Sequence, residues 1–210
     1  MRGYGSQLFR CVAFGALLLF ALVPANTTHA SSAGLTLPGL VRKTIAFYFE
    51  RSDGHSSEMQ TYQNFIQHLP AVLPNYPSSK GVFVTLSQHG KPRACWGSAF
   101  PHYQNLKEAT VYATLGALTK EYRYKPIRAT EWRQLKPQVT VVKALQPINN
   151  LQGQNPLHDG LMLRQNGRTG VILPGEATDA VYQLTLCKLK AGVQPGQKFQ
   201  LYRMMVDVYH

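Results

Sequence analysis

The sequence predicts an α+β fold, in which helices are interspersed along a largely antiparallel sheet. The clearest sign is a hairpin: residues 160–165 and 168–173 are β-prone and flank Asn166-Gly167, a dipeptide that supplies the positive φ angles of a type I′ turn. Residues 81–88 (GVFVTLSQ) alternate and are rich in β-branched and aromatic residues, which indicates another strand. Helical segments separate the strands without the regular β-α-β alternation of a parallel sheet.

A helix and a loop are predicted before the first hairpin. Residues 40–49 (LVRKTIAFYF) place apolar side chains among charges, which favours a helix. Residues 59–69 are ambiguous. Pro70, Pro74 and Pro77 then predict a loop, because proline ends regular structure.

The first hairpin is predicted to comprise residues 81–88, a turn at 89–92 and a returning strand over 93–100 (RACWGSAF). Gly97 in the returning strand indicates a bulge or a close approach of another backbone. Alternate residues of a strand face opposite sides of the sheet. One face is therefore expected to carry Arg93, Cys95 and Gly97, and the other Ala94, Trp96 and Ser98.

Asn105 and Glu108 have the spacing of a capping box and predict a helix over residues 106–122. A short helical turn is expected from Thr130 (TEWRQL), and a buried strand over residues 138–145. The Asn-Gly hairpin ends at Pro174. A helix over residues 177–191 with Gly192 as its C-cap follows, and residues 199–209 alternate as a final strand.

The N-terminus has the order of a secretory signal peptide. Arg2 and Arg10 lie in a stretch without acidic residues, residues 11–23 are small or apolar, and small residues precede Ser31. We expect cleavage after Ala30, with Ala25 as an alternative. An uncleaved anchor is the competing interpretation, but the apolar run is shorter than the about 20 residues that a membrane-spanning helix needs.

Residues 1–30 are thus predicted to be a signal peptide and residues 31–210 a single exported domain, periplasmic or secreted. Its length of about 180 residues suits one domain with a sizeable core. No membrane span is expected after cleavage. The formal net charge of the whole chain is +12, and losing two arginines lowers it to +10. The basic residues are scattered, which favours weak attraction to an anionic envelope component over a nucleic-acid site.

The cysteines and motifs predict no metal and no cofactor. The mature part retains Cys95 and Cys187 without CxxC or HxxxH spacing. The chain also lacks a phosphate-binding glycine loop, a GxSxG nucleophile elbow and a dinucleotide fingerprint. In an oxidising compartment the two cysteines are able to pair.

Cys95 is the predicted centre of any chemistry. A thiol reacts as its thiolate, which Arg93 or Lys91 would favour if either lay close to it. Three interpretations stay open: a reactive or ligand-contacting thiol, an inert core side chain, and a disulfide with Cys187. The sequence fixes no histidine near Cys95, although the fold is able to bring His89, His102 or His158 close to it.

Three other features carry weaker signals. His158 and Asp159 form a possible base with its orienting carboxylate, although neighbours in extended chain point apart. Glu121 and Glu131 form either a carboxylate pair or part of a solvated face. Cys187 belongs to an apolar helix face and is expected in the core.

Residues 81–98 (GVFVTLSQHGKPRACWGS) resemble the AMMECR1 family, whose members carry a strand-turn-strand of the form GxFVTL…G…LRGCIGT. Four further motifs follow in the same order over roughly residues 40–205. They are residues 121–127 (EYRYKPI, family DPRFPPL), 132–145 (WRQLKPQVTVVKAL, family EL..L…VSVL), 160–174 (family GLIL…GRxGLLLP) and 186–193 (LCKLKAGV, family LCxKAGL).

The resemblance implies an α+β fold with the cysteine hairpin as its functional centre, and it assigns this role to Arg93, Cys95, Gly97 and Ser98. It also implies Memo-like or radical-SAM partners, which accompany cytoplasmic relatives and from which export would separate this chain. The sequence departs from the family pattern at Ala94 (family Gly), Trp96 (family Ile), Ser98 (family Thr) and Gly175 (family Gln).

Two functions follow from these observations. The first is a ligand-binding protein or thiol-dependent enzyme for a small molecule, with Cys95 as nucleophile or contact. In this hypothesis Arg93 recognises an anion, and Gly97 and Ser98 supply hydrogen bonds. The second is a non-catalytic interaction module of the cell envelope. A nucleic-acid role ranks third, since no known module is present.

Overall fold

The structure is a computed structural model that describes residues 34–51 and 59–210. The predicted signal peptide lies outside the described residues. Within them, no helix is long and apolar enough to cross a membrane. The α+β fold class is confirmed: four α-helices accompany a six-stranded antiparallel sheet in the described residues.

The described N-terminal part contributes two helices and a two-stranded sheet. Thr36 caps the first helix by accepting a hydrogen bond from the Gly39 N–H. The ambiguous residues 59–69 prove to contain a helix. The elements are β1 (Leu35–Thr36), α1 (Leu37–Glu50), α2 (Met59–His68) and β2 (Val72–Leu73). The parallel pairing of β1 with β2 was not predicted, since strands of two residues have no recognisable pattern.

The main sheet has the strand order β4-β3-β5-β8-β6-β7, and every pair in it is antiparallel. Both predicted hairpins are confirmed, with positive φ at His89, Gly90, Asn166 and Gly167. The first turn is shorter than predicted, since the returning strand begins at Lys91 and ends at Ser98. The strands are β3 (Gly81–Gln88), β4 (Lys91–Ser98), β5 (Lys136–Ile148), β6 (Gly160–Gln165), β7 (Arg168–Ile172) and β8 (Gln200–Tyr209).

Helices α3 and α4 cover the two ends of the sheet. Helix α3 (Leu106–Thr119) begins at Asn105, whose side chain accepts from the Glu108 N–H as the capping box predicts. It ends three residues before the predicted boundary. Helix α4 (Ala180–Ala191) begins later than predicted, because the Asp179 carboxylate caps it. The turn predicted from Thr130 is a short 3₁₀ helix (Trp132–Gln134).

The helices lie on one face of the sheet. Helices α1 and α3 bury the side chains of β3 and β5 that include Val84 and Val139, and α4 buries Leu161 and Leu163 of β6. The opposite face forms a separate cluster that contains Phe83, Val142, Met162, Leu173 and Met204. The sheet curls around this second cluster, so that its two edge strands, β4 and β7, line one cavity.

Candidate functional site

The cavity between β4 and β7 has a volume of about 490 Å³, within the usual range of about 300–1,000 Å³ for ligand pockets. Phe83 and Leu173 form part of its apolar floor. Its ionisable side chains come from distant parts of the chain and include Cys95, His102, Glu121, Arg123, Glu176 and Lys190. The cavity therefore contains three of the four predicted site residues, namely Cys95, Gly97 and Ser98, but not Arg93.

Cys95 contributes a partly buried thiol to the cavity wall. The Thr85 hydroxyl on the neighbouring strand donates a hydrogen bond to its Sγ (3.4 Å). Burial raises the pKa of the Cys95 thiol, and the Thr85 hydrogen bond and the charges of Arg123 and Lys190 offset this only in part. Burial thus favours the neutral thiol, whereas nearby cations were expected to favour the thiolate.

The backbone of Cys95 is bonded by two side chains on the open edge of β4. Its N–H donates to Glu121 Oε2 (3.0 Å), and its carbonyl accepts from Arg123 Nη2 (3.2 Å). The two side chains take the place of a neighbouring strand at this position. They also pair with each other, since Arg123 Nε donates to Glu121 Oε1 (2.9 Å).

The Glu121 carboxylate is held in its ionised form. Its side chain is only 5% exposed, and this burial alone would raise its pKa. The hydrogen bonds from Arg123 and from the Cys95 N–H outweigh burial and lower the pKa of Glu121 to about 2. Glu121 is therefore an ionised acceptor for the β4 edge at neutral pH.

Gly97 lies next along the same edge and has no room for a side chain. A Cβ at this position would lie 2.1 Å from the Val82 carbonyl oxygen and 2.5 Å from Phe83 Cα. The predicted close approach is confirmed, whereas the bulge lies at Leu86/Ser87. The glycine itself is exposed toward the cavity.

The backbone of Gly97 points away from β3. In an antiparallel pair, the N–H and C=O groups of a strand face the partner at every second residue and the open edge at the others. Those of Cys95 face the open edge, since they bond Glu121 and Arg123. The regular register from Ala94 to Ser98 puts those of Gly97 on the same edge. In the described part of the chain no side chain bonds them.

Ser98 and Trp96 flank Gly97, and both residues also line the cavity. The Ser98 hydroxyl accepts from the Phe100 N–H (3.0 Å), which leaves its own proton free to donate. Trp96 packs on α3 opposite Gly116, where a Cβ would lie 2.0 Å from the Trp96 ring. The bulky Trp96 is thus accommodated by a glycine inside a helix.

Arg93 is placed outside the cavity, where it holds the segment after α3. Its guanidinium donates to Glu131 Oε1 (2.6 Å) and to the Lys125 carbonyl (3.2 Å). The Glu131 carboxylate also accepts from the Arg128 N–H, and its pKa is lowered because these hydrogen bonds outweigh burial. Glu121 and Glu131 each pair with a separate arginine, so they form neither a carboxylate pair nor a solvated face.

On the opposite edge of the sheet, a side chain of α4 bonds the backbone of β7, as Arg123 bonds the backbone of β4. Lys190 Nζ donates to the Val171 carbonyl of β7 (2.8 Å) and to the Glu176 carboxylate (3.4 Å). The same carboxylate accepts from the Leu173 N–H (3.1 Å). The cations Arg123 and Lys190 are therefore paired with the carboxylates Glu121 and Glu176.

The remaining candidates lie elsewhere. Asp159 accepts from the Asn155 N–H and belongs to a loop network with Gln183. Neither His158 nor Asp159 lines the cavity. Cys187 is fully buried, as predicted, and its thiol donates to the Leu161 carbonyl. Both cysteines are free thiols. Within the described residues, no group of three His, Cys, Asp or Glu side chains is placed to hold a metal ion.

Sequence reasoning missed Arg123, Glu176 and Lys190 as lining residues. Glu176 and Lys190 reach the cavity only because the sheet curls, and no local pattern reveals that. The pair Glu121-x-Arg123 carried a weak signal, because an acid and an arginine two residues apart in a loop are able to bond the same edge strand.

The chain is similar in sequence and fold to known proteins. The model of the AMMECR1 family matches residues 39–210. A protein of Methanopyrus kandleri is 30% identical over 178 residues, which cover 77% of this chain and 78% of that protein. A protein of Thermotoga maritima is 25% identical over 162 residues, covering 72% and 93%. The crystal structure of a Pyrococcus horikoshii protein has a TM-score of 0.63 at 23% identity, covering 82% of this chain and 88% of that one. This last likeness shows a shared fold.

Proposed function

The chain belongs to the AMMECR1 family, and on that premise we propose that it is an exported protein that binds a short peptide or peptide-like small molecule on Gly97. The observation that carries the proposal is the open pair of Gly97 backbone groups, one donor and one acceptor, facing a cavity at a residue without a side chain. One residue of an extended peptide offers the complementary acceptor and donor, as in an antiparallel sheet.

The flanking side chains favour a short ligand. Glu121 and Arg123 occupy the edge at Cys95, so a peptide strand is unable to continue along β4 in that direction. Lys190 occupies the facing Val171 carbonyl in the same manner. Blocking an exposed strand edge with charged side chains is a common protection against strand addition. On β4, in the described part of the chain, no side chain blocks the backbone N–H and C=O of Gly97 in this way.

The neighbouring residues then have distinct roles in the proposal. The Ser98 hydroxyl, with its proton free, donates to the ligand, and the Cys95 thiol contacts it. Arg93 acts as a positioning residue that holds the segment carrying Glu121 and Arg123. We assign Cys95 a contact role because its hydrogen-bond partner in the described residues is the Thr85 hydroxyl, which is not a base.

Chemical-shift titration of the ¹⁵N-labelled mature protein tests the binding mode. The probe is N-acetylalanine N′,N′-dimethylamide, which offers one residue's C=O and carries its single N–H on the alanine nitrogen. We expect the Gly97 amide resonance to shift with this probe and not with its form methylated on the alanine nitrogen, which lacks the N–H donor. The Gly170 amide on the other edge strand serves as the control and should stay unchanged. Equal shifts with both probes, or none up to the solubility limit, would refute the proposal.

The intact mass of the protein purified from its export route tests export. A chain that begins near Ser31 is expected after cleavage. A chain that retains Met1 would contradict the signal peptide and would leave the peptide-binding proposal to the titration.

A further inference from the structure

Helix α4 buries one face against the sheet and exposes an apolar row on the other. Every fourth residue from Gln183 to Ala191 is buried. On the outward face, Val181, Thr185 and Leu189 follow one another at intervals of four residues, which places them in one row. The outward face of a helix that packs on a sheet usually carries charged side chains. This outward row contains none.

The side chains of the outward row are open to solvent. Val181 is 69% exposed, Leu189 77% and the adjacent Tyr182 50%. Thr185 is exposed as well, but its hydroxyl donates to the Val181 carbonyl (2.9 Å) and is thus bonded within the helix. Apolar side chains that lie together on a surface mark an interaction site, because burying them contributes about 25 cal/mol per Å² of apolar surface.

The outward row is symmetric about Thr185. Val181 lies four residues before it and Leu189 four residues after it. When two antiparallel copies of such a row meet at a two-fold axis near Thr185, each Val181 lies beside Leu189 of the other copy. A two-fold dimer requires a surface that matches itself in this way, and rows with this spacing pack together when helices cross at about 50°. The row therefore fits a second copy of this chain.

The charges at the two ends of α4 favour an antiparallel second copy. The N-cap is Asp179, and the last turn carries Lys188 and Lys190. Within the described residues, neither Asp179 nor Lys188 forms an ion pair. Antiparallel copies place the acidic end of each helix beside the basic end of the other, with opposed helix dipoles. Parallel copies would place like charges together, and an anionic lipid surface would repel Asp179.

We propose that α4 forms the contact of a two-fold symmetric dimer, in which the outward rows of two copies pack antiparallel with Thr185 nearest the axis. The proposal does not rest on the peptide site, because Val181, Thr185 and Leu189 do not line that cavity. One helix of 12 residues per copy is a small contact compared with the about 1,200–2,000 Å² that stable interfaces bury. The dimer is therefore reversible, and its fraction rises with protein concentration.

Analytical ultracentrifugation of the mature protein over a concentration series tests association. We expect a monomer–dimer equilibrium for the natural protein. Leu189→Glu should weaken association at least roughly tenfold, because each contact would then bury an unpaired carboxylate beside Val181. Met59→Glu, at an exposed apolar residue of α2, is the matched control and should associate like the natural protein. A monomer at every soluble concentration would overturn the proposal, as would unchanged association of Leu189→Glu.

Disulfide cross-linking in the Cys95→Ser background tests the antiparallel arrangement. Thr185→Cys should cross-link two copies on mild oxidation, because position 185 meets itself at the axis. Val181→Cys alone should not, since its two copies lie about 12 Å apart along the helices, beyond the reach of a disulfide. Val181→Cys combined with Leu189→Cys should cross-link again. Equal cross-linking of Val181→Cys and Thr185→Cys would mean parallel or random contacts and would refute the arrangement.

Sedimentation with vesicles tests the competing occupant of the outward row. A monomeric protein that binds phosphatidylglycerol vesicles, and loses this binding in Leu189→Glu, would make the row a membrane contact and overturn the dimer. The melting temperature of Leu189→Glu should equal that of the dilute natural protein, because position 189 is exposed. The peptide probe should still shift the Gly97 amide in this variant, so that failure of the dimer is distinguishable from failure of the peptide site.

Discussion

The two edge strands of the sheet, β4 and β7, share two structural features but differ in the exposure of their glycine. Each contains a glycine whose Cβ would collide with backbone, Gly97 and Gly170. Each also has a carbonyl bonded by a cation, Cys95 by Arg123 and Val171 by Lys190. Gly170 is nevertheless buried under α4, whereas Gly97 is exposed in the cavity.

The difference follows from what covers each glycine. The missing side chain of Gly170 lets α4 approach β7, since a Cβ there would lie 2.1 Å from the Cys187 carbonyl oxygen. The segment of residues 121–131 that lies beside β4 contains no helix or strand. Its side chains bond the backbone of β4 only at Cys95, since Glu131 bonds the side chain of Arg93. At Gly170 the missing side chain lets α4 pack closely on β7. At Gly97 no helix of the described residues covers the cavity face of β4, and the space beside the glycine stays open to the cavity.

The largest expected change in the free energy of unfolding comes from adding a side chain at Gly170, between β7 and α4. Gly170→Ala places a Cβ against helix backbone, which is unable to yield without separating α4 from the sheet. We expect the free energy of unfolding to fall by about 3 kcal/mol, at the upper end of overpacking costs. Urea unfolding measures it, with the neighbouring exposed Thr169→Ala as the control. A loss equal to that of the control would show that the helix is not seated on this glycine.

The next effect should appear in acid and belongs to the β4 edge. The pKa of Glu121 is about 2 in the folded protein and 4.5 as its ordinary value, so ionised Glu121 stabilises the fold above pH 4.5. This contribution, up to about 3 kcal/mol, is lost as the pH falls from 4.5 toward 2.

Urea unfolding at pH 7 and at pH 3 measures this dependence. Glu121→Gln should be less stable than the natural protein at pH 7 and should lose less stability on acidification. Glu50→Gln, which breaks an exposed ion pair with Arg133 (3.2 Å), is the control and should follow the natural protein. Parallel acid curves for the natural protein and Glu121→Gln would show that Glu121 does not hold the β4 edge.

A smaller effect is expected for Gly97→Ala. The new Cβ meets the backbone of β3, but β4 is an edge strand with a single neighbour and has more freedom to shift than β7 beneath its helix. We expect a loss of about 2 kcal/mol in the free energy of unfolding. Urea unfolding beside Gly170→Ala tests the order, and a larger loss at Gly97 would reverse the comparison.

The sequence predicted those parts of the two edges that depend on local chemistry. The Asn166-Gly167 turn, the alternating residues 81–88 and the Asn105 cap are each decided within a few residues, and all are present. The two faces of β4 also follow from simple alternation, since Cys95 lines the first cavity and Ala94 lies in the core under α3.

The sequence did not predict what depends on the curl of the sheet. Lys190 lies 95 positions after Cys95, and only the meeting of the two edges brings both to one cavity. Arg93 was expected to bind an anion because arginine suits that role. Its pairing with Glu131 is a tertiary contact, and the expectation of anion binding stays a prediction. The pairing of β1 with β2 was missed because two-residue strands have no periodicity.

The last expected effect concerns reactivity and not the free energy of unfolding. It distinguishes Cys95, in the edge strand β4, from Cys187, near the edge strand β7. Cys187 is fully buried, and burial raises its pKa to about 12, whereas Cys95 is partly exposed and opens on the cavity. Iodoacetamide should therefore modify Cys95 in the native protein and Cys187 only after unfolding. Because burial also raises the pKa of Cys95, its alkylation rate should keep rising above pH 9.

Mass spectrometry of native protein alkylated at a series of pH values measures both effects, with Cys95→Ser as the control that should remain unmodified. A rate that levels off below pH 8 would mean a stabilised thiolate and would favour the thiol-dependent enzyme over the contact role. Slower modification in the presence of the peptide probe, but not of its N-methylated form, would connect the thiol to the open edge at Gly97. The chemistry of Cys95 and the access to β4 would then be properties of one site, and β7, closed by its helix, would lack both.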